Sequence, residues 1–133
     1  MRLSYLLPCE YASALATGAP LIVGAFREVL IDPRHLRLEP FFVGLELEAD
    51  PIEAGIHALE LRVIDADGAD IYREELHVEF RARPDYGPSY AFLPLRVAIR
   101  GEVAPGPYRL DLVLRGEPLG SRRVDVRLAQ FEG

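Results

Sequence analysis

Leu59 to Phe80 reads LELRVIDADGADIYREELHVEF. In its first arm Leu59, Leu61 and Val63 alternate with Glu60, Arg62 and Ile64; in its second, Leu76, Val78 and Phe80 alternate with His77, Glu79 and Arg81. A period of two marks a half-buried strand, because successive Cβ atoms point to opposite faces. Between the arms lies Asp67-Gly68, a pair favoured in tight hairpins. The stretch therefore predicts two antiparallel strands joined by a turn. A two-residue turn at 67–68 would set Val63 against Tyr72 and Leu59 against Leu76, which suits a core. It would also set Glu60 against Glu75 and Arg62 against Arg73, and like charges directly opposite destabilise a sheet. The expectation is a longer turn, or strands that diverge into different sheets.

The same period extends both ways. Arg2 to Glu10 forms a first run, and Leu21 to Ile31 reads as a mostly apolar strand with Gly24 as a bulge or close approach. Phe41 to Glu48 follows. Phe92 to Ile99 carries Pro94, which cannot donate to a ladder, so that strand is an edge or begins after the proline. Tyr108 to Arg115 and Val124 to Leu128 complete the set. Asp50-Pro51, Arg83-Pro84-Asp85, Pro105-Gly106-Pro107 and Gly116-Glu117-Pro118 supply turns at roughly 10–15-residue spacing, that of a sandwich or barrel. No window repeats at helical spacing over three turns, and Ala12 to Ala16 could form one helical turn at most. The fold expected is all-β: an antiparallel β-sandwich of about eight strands, in a single domain spanning residues 1–133. Pro105-Gly106-Pro107-Tyr108 resembles the entry into a penultimate strand of immunoglobulin-like domains, where the tyrosine hydroxyl anchors a corner.

The chain has 133 residues, enough for one core without disulfide or metal. An apolar fraction of 50% argues against disorder. Net charge is −6 with the two signs interleaved, so the basic footprint of a nucleic-acid binder is missing. An acidic surface also disfavours anionic membranes. All 15 basic residues are Arg, which a GC-rich genome produces; the scarcity of Asn, Gln, Cys and Met fits a thermophile. Pro8 and Glu10 cut the first apolar run below the roughly 7–15 residues of a secretory core, and no run reaches the roughly 18–20 of a membrane span. The single Cys9 forms no internal disulfide. The expected location is cytoplasmic.

Each chemical string has a structural explanation. Asp65, Asp67 and Asp70 could offer oxygens to Ca²⁺, but the glycine position and flanking strands do not fit an EF-hand, and an Asp-Gly-rich turn accounts for them. His57 and His77 lie on opposite parities of adjacent strands and should not converge on one ion; His35 falls in an Arg-rich loop. Cys9 reads as a buried, inert thiol. No catalytic residue, metal ligand or cofactor is therefore expected. Tyr86, Tyr90 and Phe92, in the longest turn-rich stretch, form the candidate binding loop, since loops carry function and tyrosine suits binding surfaces.

Cys9-Glu10-Tyr11-Ala12 followed by GAPLIVGAF (18–26) resembles the opening of a small bacterial family of unknown function. The resemblance implies an immunoglobulin-like sandwich and carries no activity, cofactor or site residue with it. The function expected is a non-catalytic interaction domain that binds another protein or itself. An eight-stranded barrel around a small apolar ligand is the alternative, and a Ca²⁺-binding or hydrolytic enzyme the next.

Overall fold

The computed structural model describes residues 1–130. The alternating runs become nine strands: β1 (Arg2–Ala14), β2 (Pro20–Ala25), β3 (Glu28–Ile31), β4 (Phe41–Ala49), β5 (Gly55–Ile64), β6 (Asp70–Phe80), β7 (Ser89–Val97), β8 (Gly106–Leu114) and β9 (Glu117–Leu128), with a 3₁₀ turn at Pro51–Glu53. Two sheets form, β2-β1-β4-β7 and β3-β9-β8-β5-β6. All neighbours are antiparallel except β3 and β9, which run parallel. A short early strand lying parallel to the last one, with β4–β5, β6–β7 and β7–β8 crossing between sheets, is an immunoglobulin-like arrangement. Its corner is present: the Tyr108 hydroxyl donates to the Ala104 carbonyl at 2.6 Å.

The nine strands agree with the expectation of about eight, and the added one comes from a single apolar run. Leu21 to Ile31 is not one strand. Gly24 takes φ +65, Phe26 N–H bonds the Pro8 carbonyl at 2.9 Å, and the Arg27 carbonyl accepts from Asp125 N at 2.9 Å. The chain thus leaves one sheet after Ala25 and joins the other at Glu28, with the Phe26 ring turned against Phe41 at 5.8 Å. The Ala12 to Ala16 helical turn is also corrected. Ala12 to Ala14 pair with Ile22 to Pro20, and Gly18, at φ +86, closes the turn onto Leu15.

The doubted hairpin register is the one observed. Leu59 faces Leu76, Glu60 faces Glu75, Arg62 faces Arg73 and Val63 faces Tyr72. The turn is longer than two residues, since Asp65 N–H bonds the Ala69 carbonyl at 2.9 Å, and a bulge beyond Val63 restores the register. Charges are matched along and across the strands: Arg62 Nε, on the same strand, lies 2.6 Å and Arg73 Nε, diagonally across, 3.7 Å from the Glu60 carboxylate, and Arg73 also pairs with Asp70 along β6.

Between the sheets Val43, Leu45 and Leu47 of β4 meet Leu59, Leu61, Leu110, Leu112, Val124 and Val126 of the opposite sheet, all buried. The gap near Phe26, Phe41 and Tyr108 holds about 20 Å³, far below the roughly 300 Å³ at which ligand pockets begin. Two open sheets and this filled interior correct the ligand-binding barrel reading.

Candidate functional site

The two outer faces differ in chemistry. On the five-stranded sheet Arg109 grips Asp111 at 2.7 and 2.9 Å, Ser121 donates to Asp111 at 2.6 Å, and Arg123 meets Asp125 at 2.8 Å. That face is an ionic ladder. On the four-stranded sheet the register sends Phe42, Gly44, Glu46 and Glu48 of β4 and Tyr90, Phe92, Pro94 and Arg96 of β7 outward. Apolar side chains there are interrupted by Glu46, Arg96 and Glu48, the last paired with Arg2.

Of the three sequence-predicted binding residues, Tyr90 and Phe92 sit on this outer face, two apart on strand β7 and not in a loop. Their stretch is strand because it pairs with β4 from Ala49 to Phe41, with Pro94 on an edge strand that begins before it. Tyr86 alone lies in the loop, 83% exposed and at φ +56. No ring contact joins the three among the described residues.

The other sequence candidates are occupied locally. Asp65 Oδ1 accepts from Asp67 N and Ala69 N, both at 2.9 Å, closing the turn, while Asp70 is held by Arg73. His57 faces Val78, and His77 faces Ala58, so the two point to opposite faces. His57 Nε2 bonds the Glu53 carbonyl at 2.6 Å. His35 lines an open groove of about 600 Å³ with Asp32, Arg34, Arg37 and Glu102. There the Arg34 side chain and N–H hold the Asp32 carboxyl down to about 2. Burial pushes the Cys9 thiol up, against backbone hydrogen bonds with Gly44 and Tyr11, which disfavours the thiolate a nucleophile requires. Among the described residues no group of three or more His, Cys, Asp or Glu is placed to hold a metal ion.

The sequence reasoning missed the β1–β2 hairpin. β1 changes partner at Cys9: residues up to it pair with β4, and residues from it onward pair with β2. Beyond that point the hairpin lies against the outer face of its own sheet. Ile22 Cδ1 stands 3.1 Å from where a Gly44 Cβ would be, and the Phe92 ring 3.4 Å from the same point. Tyr11 meets Phe42 edge-on at 5.1 Å. Ala12, the cross-strand partner of Ile22, is buried. On the opposite parity Tyr11, Leu15, Leu21 and Val23 remain 47, 47, 38 and 46% exposed. A signal was available: Tyr11 to Phe26 contains no charged residue in a chain that is 27% charged.

The four sheet edges are guarded unequally. β6 carries Asp70, Arg73, Glu75 and Glu79, and turns Glu74 to the core side, where it accepts the Tyr72 hydroxyl at 2.6 Å. β7 carries Pro94 mid-strand, and β3 is only four residues long. Charges, prolines and short length are the usual protections of an edge. β2 has six residues and no charge, and is restrained only by Pro20 at its start and the Gly24 kink near its end.

A family model described as a family of unknown function, DUF6941, matches residues 4–127, and the chain belongs to that family. No curated protein matches it. No helix among the described residues is long and apolar enough to cross a membrane.

Proposed function

We propose that this member of the DUF6941 family is a non-catalytic protein-interaction domain that binds through the β1–β2 hairpin. The observation that carries the reading is the charge-free edge β2, with Leu21 and Val23 exposed beside it. An apolar edge with unspent backbone groups accepts a strand, and main-chain bonds then supply affinity while side-chain contacts supply selectivity. Tyr90, Phe92 and Phe42 extend the apolar surface across the same sheet. The ionic ladder on the opposite face is spent on itself, and its interleaved signs offer a nucleic acid no landing surface.

Capture by the immobilised full chain tests this. Wild type is compared with Val23→Lys, which puts a charge on the edge, and with Glu79→Lys on the charged sheet. Loss of the captured protein by at least about tenfold with Val23→Lys alone is expected. Equal capture by wild type and Val23→Lys overturns the assignment.

We extend the same reading to the protein's setting. The Cys9-Glu10-Tyr11-Ala12 opening stands for a bacterial family, and the arginine-only cations and single cysteine support a cytoplasmic, thermophilic one. Cell fractionation checks the first point. A thermal midpoint above the roughly 45–65 °C of mesophile domains checks the second.

A further inference from the structure

We infer that the partner seated on β2 is a second copy of this chain, joined by antiparallel β2–β2 pairing about a two-fold axis at Ile22. The inference rests on the interaction reading above and names its partner. The hairpin itself fixes which groups are free. Leu15 N–H bonds the Ala19 carbonyl at 2.8 Å, and bonded pairs alternate along an antiparallel ladder. The bonded pairs are then Ser13 with Leu21 and Tyr11 with Val23, within the observed register. Leu21 and Val23 spend their backbone groups on β1, so Ile22 directs its N–H and C=O to the open edge.

An axis at Ile22 lets it exchange both bonds with the second copy's Ile22. The same axis sets Leu21 opposite the second copy's Val23, and Val23 opposite its Leu21. These are non-bonded pairs, the closest side-chain pairs of an antiparallel ladder. The two exposed apolar residues of β2 thus flank the one outward-facing residue symmetrically. Pro20, which has no N–H, and Gly24, at φ +65, bound the ladder on either side.

The match of Leu21 with Val23 about Ile22 is what favours a second copy, and local charge does not oppose it. Two chains of net charge −6 repel, and like charges opposed across strands add to that cost. Along Tyr11 to Phe26 no charge of one copy can oppose a charge of the other. An isologous contact here joins the two four-stranded sheets into one of eight strands. The ladder is short, so the pairing is a concentration-dependent equilibrium.

Sedimentation equilibrium of the full chain from about 10 µM to 1 mM tests the pairing. The mass is expected to rise from 14.9 kDa toward twice that value, and Val23→Lys to weaken dimerisation by at least about tenfold with its thermal midpoint unchanged. Register is read by oxidising an equimolar mixture of Leu21→Cys and Val23→Cys proteins, in which Cys9 stays buried. The mixed disulfide should exceed the Leu21→Cys homodimer well beyond the statistical excess that random pairing of an equimolar mixture gives. A constant monomer mass, dimerisation of Val23→Lys equal to wild type, or disulfide yields at the random-pairing ratio overturns the proposal. A constant monomer mass with lysate capture still abolished by Val23→Lys removes the second copy and leaves the interaction reading standing.

Discussion

Tyr108 and Asp111 sit on one strand and do opposite things. Tyr108 is buried on the core face and sends only its hydroxyl out, to the Ala104 carbonyl at 2.6 Å. Tyr108→Phe keeps the ring and deletes the bond, so urea denaturation should show a loss of about 1 kcal/mol. The Pro-Gly-x-Tyr string made this residue legible, because the corner is local in sequence. Asp111 was not legible: Pro105 to Val126 reads as a hairpin, but its register, shifted by a bulge between Leu112 and Val113, is what sets Ser121 against Asp111. Burial pushes its carboxyl up, but Arg109 and Ser121 outweigh that and hold it below the ordinary range. Asp111→Asn should therefore cost about 1–3 kcal/mol at neutral pH. The sign with pH follows. A group bound more weakly by protons when folded contributes fully above its ordinary value, near 3.8, and loses the contribution as pH falls. The gap between wild type and Asp111→Asn should close on acidification below about pH 4. Asp32, held down to about 2, belongs to the same window, and its carboxyl titration by NMR should show that midpoint.

At the scale of elements, Gly44 is where the hairpin rests on its sheet. A Cβ there would stand 3.1 Å from Ile22 Cδ1 and 3.4 Å from the Phe92 ring, closer than most real contacts. Gly44→Val adds two more methyls to that crowding and should lift the hairpin. Amide exchange is the measurement: residues 12–25 should exchange at least about tenfold faster, while β5 and β8 keep their protection. The hairpin's alanines and glycines look like filler in sequence, yet they let it lie flat, a steric fact that periodicity does not carry. The Asp65 to Ala69 turn shows the converse. Its period and turn chemistry were legible, but the bulge beyond Val63 was not, and like-charge opposition was wrongly weighed without the diagonal partner Arg73 and the same-strand partner Arg62 of Glu60. The Leu21 to Ile31 run was misread as one strand because both halves are apolar; only the Gly24 and Phe26 geometry separates them.

For the whole molecule, the sandwich has one outer face that satisfies its own charges and another that leaves apolar side chains at an open edge. The alternating core was readable because β4, β5, β6, β8 and β9 each bury one face against the other sheet. The contrast between the outer faces was not, since it depends on which strands share a sheet. The contrast fixes how the molecule should respond to salt. An interface built from ion pairs weakens as the Debye length falls from about 10 Å at 0.1 M to about 3 Å at 1 M. The β2 edge has no ion pair to lose, because Tyr11 to Phe26 carries no charge. Raising salt there screens only the mutual repulsion of two chains of net charge −6, and sulfate further strengthens apolar burial. Self-association measured by sedimentation should therefore increase from 0.1 to 1 M NaCl and increase further in ammonium sulfate. Association that weakens across the same series would move the contact from the apolar hairpin to the ionic ladder of the five-stranded sheet.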